Sequence, residues 1–260
     1  MSPADAVMPL ECRDLGVRVP GRELLCGLDA AIRPGTMLAV LGRNGAGKSS
    51  LLHVLAGLAL PATGDVRLGG VRLADWPRRD LARHIGLLAQ ASEDPFPGTA
   101  LQAVLVGRHP HLDFWQWEGE ADRAVSLECL AAMDLAGLEA RDVTTLSGGE
   151  RRRLAIATVL AQDPRVFLLD EPIQQLDPLH QLGVLRRFRA LADAGRSVVL
   201  SLHDAGLAAR FADEVLLLYG DGRWSFGPAR QVLDEASVGG LYGIAVRELR
   251  WSEGRTFVPA

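Results

Sequence analysis

Gly42-Arg43-Asn44-Gly45-Ala46-Gly47-Lys48-Ser49 constrains the chain more than any other stretch. The segment fits G-x-x-x-x-G-K-[ST]; the apolar run Thr36 to Leu41 precedes it, and leucines and alanines at helical spacing follow from Ser50 to Leu60. A strand, a glycine-rich turn and a helix in that order let successive backbone N–H groups point inward at phosphate oxygens, with the helix N-terminus adding partial positive charge. Lys48 is expected to reach the β and γ phosphates of a nucleotide and the Ser49 hydroxyl to ligate Mg²⁺, while Gly42, Asn44, Gly45, Ala46, Gly47 and Ser50 complete the cradle. Lys48 is also the only lysine, the other 27 of the 28 basic residues being arginines. A phosphate cradle needs a compact point charge, which a planar guanidinium does not supply.

A phosphate loop needs a second buried strand carrying a metal partner and a base. Val166-Phe167-Leu168-Leu169-Asp170-Glu171 supplies both at one strand edge. Asp170 is expected to hold Mg²⁺, directly or through water, and Glu171 to polarise the attacking water as general base. A second apolar run, Val198 to Leu200, follows the helical stretch Leu179 to Ala194, the pattern of buried parallel strands joined by a crossover helix. A third, Val215 to Tyr219, ends at Gly220-Asp221-Gly222, a tight turn predicted to open a final hairpin. Leu10 to Val19 partly alternates, and Val66 to Leu68 and Val71 to Leu73 around Gly69-Gly70 predict a small hairpin. Between about 91 and 162 the pattern is helical, over Leu101 to Gly107, Glu120 to Met133 and Glu150 to Ala161. The class is therefore α/β.

Composition narrows the function. With 48% hydrophobic residues, 23% charged and a formal net charge of -4, the chain is neither disordered nor a nucleic-acid-coating tail. No apolar stretch approaches the roughly 18 to 20 residues of a membrane span. Met1-Ser2-Pro3-Ala4-Asp5 carries no basic or apolar leader, so a cytoplasmic location is expected. Cys12, Cys26 and Cys129 lack metal or disulfide spacing and are expected to be buried free thiols. His109 and His111 offer too few ligands for a metal site.

Leu146-Ser147-Gly148-Gly149-Glu150 resembles the signature of the ATP-binding cassette (ABC) ATPases. Ser147 and Glu150 form a capping box, but capping does not explain two glycines in a first helical turn. The resemblance implies that Ser147, Gly148 and Gly149 grip the γ phosphate of ATP held on another subunit's phosphate loop, so that the protein works as a head-to-tail homodimer. It further implies that Gln90 is the Q-loop glutamine, contacting metal or water; that His203 is the switch histidine at the γ phosphate, orienting the catalytic site around Glu171; and that Asp177 is the D-loop aspartate, communicating across the dimer. Ile173-Gln174-Gln175-Leu176 departs from the family's commoner Thr-Ser-Ala-Leu, and Val19 stands where the family stacks an aromatic on adenine.

The resemblance runs from about Leu10 to Leu249. It implies a P-loop NTPase (RecA-like) core over 10–90 and 163–230 with an antiparallel β subdomain, a helical subdomain over 91–162, and a C-terminal extension over 231–260. Gly107-Arg108-His109-Pro110-His111, His180-Gln181 and Leu241-Tyr242-Gly243-Ile244 look like the iron-siderophore, haem and vitamin B12 importer group. The implied protein is an ATPase on the cytoplasmic face of the plasma membrane, bound to two integral-membrane permease subunits, served indirectly by a substrate-binding protein, with no nucleic-acid partner. Ala91 to Leu112 is the implied docking segment, with Phe96, Phe114, Trp115 and Trp117 as exposed aromatics there or as helical-subdomain core. Which chelate is carried stays open, and a soluble cassette ATPase of nucleic-acid repair or regulation is the alternative.

Overall fold

The computed structural model describes residues 8–90, 98–113, 115–252 and 254–260. Strands β1 (Leu10–Val19) and β2 (Arg22–Ile32) pair antiparallel, and β1 also pairs with β4 (Thr63–Leu68), whose other edge takes β5 (Val71–Arg72). Register shifts in β1 between Cys12 and Leu15, with Asp14 at φ 47°, explain why its alternation is only partial. Leu73 leaves the predicted hairpin for a short 3₁₀ turn.

Between these strands, β3 (Met37–Gly42) leads through the glycine-rich turn into α1 (Lys48–Leu55). The helix is shorter than its leucine pattern predicts, because Gly57, at φ 69°, turns the chain and leaves Leu58 and Leu60 exposed. Next come α2 (Arg78–His84) and β6 (Ile85–Leu88). Helices α3 (Ala100–Leu105), α4 (Glu120–Ala132) and α5 (Gly148–Gln162) pack on one another. The helix predicted to reach Gly107 ends at Leu105 and continues as a 3₁₀ turn over Val106–His111.

The chain then alternates β7 (Val166–Leu169), α6 (Pro178–Asp193), β8 (Ser197–Leu202), α7 (Ala205–Phe211), β9 (Glu214–Leu218) and β10 (Trp224–Pro228). It finishes with α8 (Ala229–Val232), α9 (Glu235–Tyr242) and a hairpin of β11 (Val246–Trp251) and β12 (Gly254–Pro259). Among the described residues the larger sheet runs β10-β9-β3-β8-β7-β6, with β9, β3, β8, β7 and β6 mutually parallel and β10 antiparallel at the edge.

Its central strands are apolar throughout because both faces are buried. Met37, Ala39, Leu41, Phe167, Leu169 and Leu200 point into a core shared with the helices, whereas Leu38, Val40, Val166, Leu168 and Val199 point into a second core under the antiparallel sheet and α1. Cys12 and Cys129 are buried, where desolvation pushes their thiols up to about 12 and about 11. Cys26 corrects the expectation: it lies on a solvent-facing position of β2 and is exposed. Among the described residues no helix is long and apolar enough to cross a membrane.

Candidate active site

Strands β3, β8, β7 and β6 are adjacent and parallel, so their C-terminal ends share one edge. Open α/β sheets bind ligands at that edge. Here β3 delivers the phosphate loop, β8 delivers His203, β7 delivers Asp170 and Glu171, and β6 delivers Gln90.

The loop's shape depends on two glycines in left-handed backbone, Gly45 at φ 74° and Gly47 at φ 105°. A Cβ on Gly47 would also come within 2.9 Å of the Leu24 side chain. Lys48, only 6% exposed, folds back so that Nζ donates to the carbonyl oxygens of Gly42 (2.9 Å) and Arg43 (3.4 Å). Burial draws its pKa below the ordinary lysine value, against the pull of Glu171 and Asp170.

Glu171 is where the edge converges. Its Oε1 lies 2.6 Å from His203 Nε2 and 3.9 Å from Lys48 Nζ, and its Oε2 accepts from Gln90 Nε2 at 3.1 Å. Its backbone sits at φ 47°, a conformation that costs a non-glycine residue about 1–2 kcal/mol. Three contacts hold it there: the Glu171 N–H donates to Ser201 Oγ (2.7 Å), and the Glu171 carbonyl accepts from Arg152 (2.7 Å) and from the Gln174 N–H (3.1 Å). Ser201 in turn donates to Asp170 Oδ1 at 2.7 Å, so one hydroxyl orients both carboxylate residues.

Sequence reasoning missed Arg152. Its guanidinium also donates to the carbonyls of Ala89 (2.8 Å), Gln90 (3.3 Å), Pro172 (3.3 Å) and Asp170, tying α5 to the ends of β6 and β7. Burial lowers its pKa, with Asp170 and Glu171 opposing. Within the run Arg151 to Arg153 it reads as solvated charge, yet it stands four residues before Ile156 and eight before Leu160, on the buried stripe of α5.

These groups open onto a cleft of about 380 Å³ lined by Asn44, Gly45, Gly47, Lys48, Ser49, Ser50, Gln90, Glu171, Gln174 and His203. Gly42, Ala46 and Asp170 stand behind that wall, buried. Val19 and Leu24 form an aliphatic part of the lining, and among the described residues no aromatic ring joins them. The hydroxyl of Ser49, the amide oxygen of Gln90 and the Asp170 carboxylate, whose Oδ2 takes no hydrogen bond among the described residues, are hard oxygen donors of the kind Mg²⁺ selects. The residues present therefore fit that ion.

Ser147, Gly148, Gly149 and Asp177 do not line this cleft. Ser147 Oγ accepts from the Glu150 N–H (3.2 Å), and the Ser147 N–H donates to Glu150 Oε2 (2.7 Å), holding that carboxyl below its usual range. The glycines run beneath the atypical tract: a Cβ on Gly148 would meet Gln175 Oε1 at 3.2 Å, and one on Gly149 the Gln175 carbonyl at 3.4 Å. Asp177 caps α6 through the His180 N–H (3.0 Å). His109 and His111 have separate partners, Glu118 and the Gln162 carbonyl, and no group of three or more His, Cys, Asp or Glu among the described residues could hold a metal. Trp115 and Trp117 are 89% and 86% exposed, which removes them from the core; Phe96 and Phe114 lie outside the described residues.

A phosphate loop facing a carboxylate, an imidazole and an amide across one sheet edge is the working end of a nucleoside-triphosphate hydrolase. Residues 25–174 match the ABC transporter family, and the chain belongs to it as an ATP-binding, ATP-hydrolysing cassette. It is 40% identical to the hemin import ATP-binding protein HmuV of Myxococcus xanthus, over 97% of each chain. It is 45% identical to the protein of the same name from Deinococcus radiodurans, over 79% of this chain and 78% of that one. Among solved structures it resembles a metal-chelate type ABC transporter in an inward-facing conformation (TM-score 0.84, 29% identity, 97% of this chain and 98% of that one). It also resembles a dimeric cassette in a post-hydrolysis state bound to ADP and Pi (TM-score 0.72, 26% identity, 83% and 97%).

Proposed function

We propose that the chain is the ATP-hydrolysing subunit of an importer for a metal chelate, with haem the favoured cargo because its relatives are named for hemin import. The observation that carries the catalytic reading is the convergence of Gln90, His203 and Lys48 on the Glu171 carboxylate beside the phosphate loop. Lys48 leaves the Gly42 and Arg43 carbonyls for the β and γ phosphates when nucleotide enters, while the N–H groups of the loop hold the phosphate oxygens. Ser49, Asp170 and Gln90 would hold Mg²⁺, which would supply charge neutralisation for the phosphates. Glu171 accepts the proton of the attacking water, and His203 contacts the γ phosphate and holds Glu171 in line.

Ser147, Gly148 and Gly149 cap the γ phosphate of a second copy of the chain, with Asp177 at the junction. That none of them lines the cleft of its own chain supports a head-to-tail homodimer, as does the likeness to a dimeric cassette. That dimer sits on two permease subunits at the cytoplasmic face of the membrane. Trp115 and Trp117, exposed beside the helical subdomain, belong to the docking surface.

Reconstitution with the permease in liposomes tests the reading. Hemin delivered by its binding protein should raise ATPase activity and be taken up, and cobalamin or a ferric siderophore should not. Uptake of one of those instead of hemin would overturn the cargo, and DNA-stimulated hydrolysis without any permease would overturn the importer.

A further inference from the structure

Leu241-Tyr242-Gly243-Ile244 marks the importer group in sequence, yet none of the chemistry above uses it. In the fold it closes α9. Leu241 is 1% exposed in the helix-side core, and Gly243, at φ 70°, reverses the chain by donating its N–H to the Gly239 carbonyl at 2.8 Å. Tyr242 lies between these two fixed points. Its hydroxyl donates to the backbone carbonyl of His203 at 2.6 Å, across 39 residues of sequence.

The turn carrying His203 is gripped a second time. Asp204 Oδ1 accepts from the N–H groups of Gly206 (2.7 Å) and Leu207 (3.0 Å), and β12 packs along α7 just beyond. The approach is close enough that a Cβ on Gly206 would fall 2.2 Å from Thr256 Oγ1. The hairpin is itself anchored: Arg255 donates to the carbonyls of Leu233 (3.0 Å) and Ala229 (2.7 Å), and the Glu248 N–H donates to Glu235 Oε1 (2.8 Å). By contrast the His203 side chain is 45% exposed, and Glu171 is its only side-chain partner among the described residues. Where the imidazole points is therefore set by the backbone turn, and that turn is set by the C-terminal unit. The surroundings suit a neutral donor, since burial pushes the Tyr242 phenol up to about 12.

We propose that Tyr242 is a positioning residue for hydrolysis: its hydroxyl fixes the His203 carbonyl, and with the β11–β12 hairpin behind it keeps Nε2 aimed at Glu171 and the γ-phosphate position. The proposal rests on the reading of His203 given above. Tyr242 touches neither substrate nor the reacting atoms. Its hydroxyl has the His203 carbonyl as partner and lies outside the lining of the nucleotide cleft, so deleting it should leave ATP affinity unchanged.

The test is a double-mutant cycle on the full chain, using Tyr242→Phe, which deletes one hydroxyl and keeps the ring. Losing one hydrogen bond to the turn should lower kcat for ATP roughly two- to tenfold while KM stays within about twofold. In a His203→Ala background the same change should cause no further loss of residual turnover. A wild-type kcat in Tyr242→Phe, or an equal loss in both backgrounds, overturns the proposal, the second because it marks a general effect on the fold. If His203→Ala itself retains full turnover, the assignment of His203 has failed and Tyr242 loses its role with it. If His203→Ala is defective and Tyr242→Phe is not, the tie alone has failed.

Discussion

Replacing Arg152 by methionine keeps an unbranched chain of similar reach and removes every donor. The guanidinium serves the carbonyls of Ala89, Gln90, Asp170, Glu171 and Pro172. Ala89 and Gln90 are exposed, so water can take over there, whereas Asp170 and Glu171 are 2% and 6% exposed and cannot be rewetted without opening the core. The Glu171 carbonyl keeps the Gln174 N–H (3.1 Å), whereas the buried carbonyls of Asp170 and Pro172 lose their donor, at about 1–3 kcal/mol each. Against that, methionine no longer carries a charge whose burial is itself unfavourable. The expected net loss is about 2–4 kcal/mol, or roughly 5–15 °C in Tm for a chain of this length. Thermal and urea unfolding of Arg152→Met measure it directly. ATPase activity at a temperature where the variant is folded should also fall, because the left-handed backbone of Glu171 has lost one of its three supports. A variant within about 1 kcal/mol of the parent would refute the bonding assigned to this residue.

Two further outcomes follow from the cleft. Val19→Tyr places a ring beside the aliphatic wall formed with Leu24 and should tighten ATP binding about two- to tenfold, the worth of one stacked pair, in an equilibrium titration; an unchanged Kd would mean that position 19 does not face the base. Because burial lowers the Lys48 pKa, its free amine becomes available at lower pH than that of an ordinary lysine, so an amine-directed reagent should modify Lys48 at mildly alkaline pH and Mg-ATP should protect it. Peptide mapping reads this cleanly, since Lys48 is the only lysine; labelling indifferent to nucleotide would contradict the cradle.

Lys48, Ser49, Asp170 and Glu171 are legible because backbone constraints that the sequence displays punctuate them, whereas Gln90 and His203 are named by the family resemblance alone. Glycines at left-handed positions spell out the phosphate loop, and four large apolar residues ending in Asp170-Glu171 read as a strand buried on both faces. The Ser147–Glu150 capping box was readable for the same reason, being local. What escaped depends on contacts between distant segments. β2 shows no clean alternation, since its partner β1 is bulged, and the end of α1 is decided by the conformation of Gly57 rather than by its leucines. Arg152 is hidden in a run of three arginines, and nothing in Tyr242 announces a carbonyl 39 residues away. Cys26, whose spacing suits neither disulfide nor metal, is expected to be buried with the other thiols, but its solvent-facing strand position overrides that expectation.

In the proposed composite site, the phosphate loop and Glu171 of one copy are closed by Ser147, Gly148 and Gly149 of another. Glu171→Gln removes the proton acceptor and leaves the amide isosteric in its buried seat. Light scattering of that variant after size exclusion, with and without Mg-ATP, reports whether two copies close on nucleotide. A composite site gives no turnover and a doubling of mass that requires ATP and reverses when nucleotide is removed. A Glu171→Gln chain that hydrolyses ATP at the parent rate, or that binds Mg-ATP and stays monomeric, would contradict it.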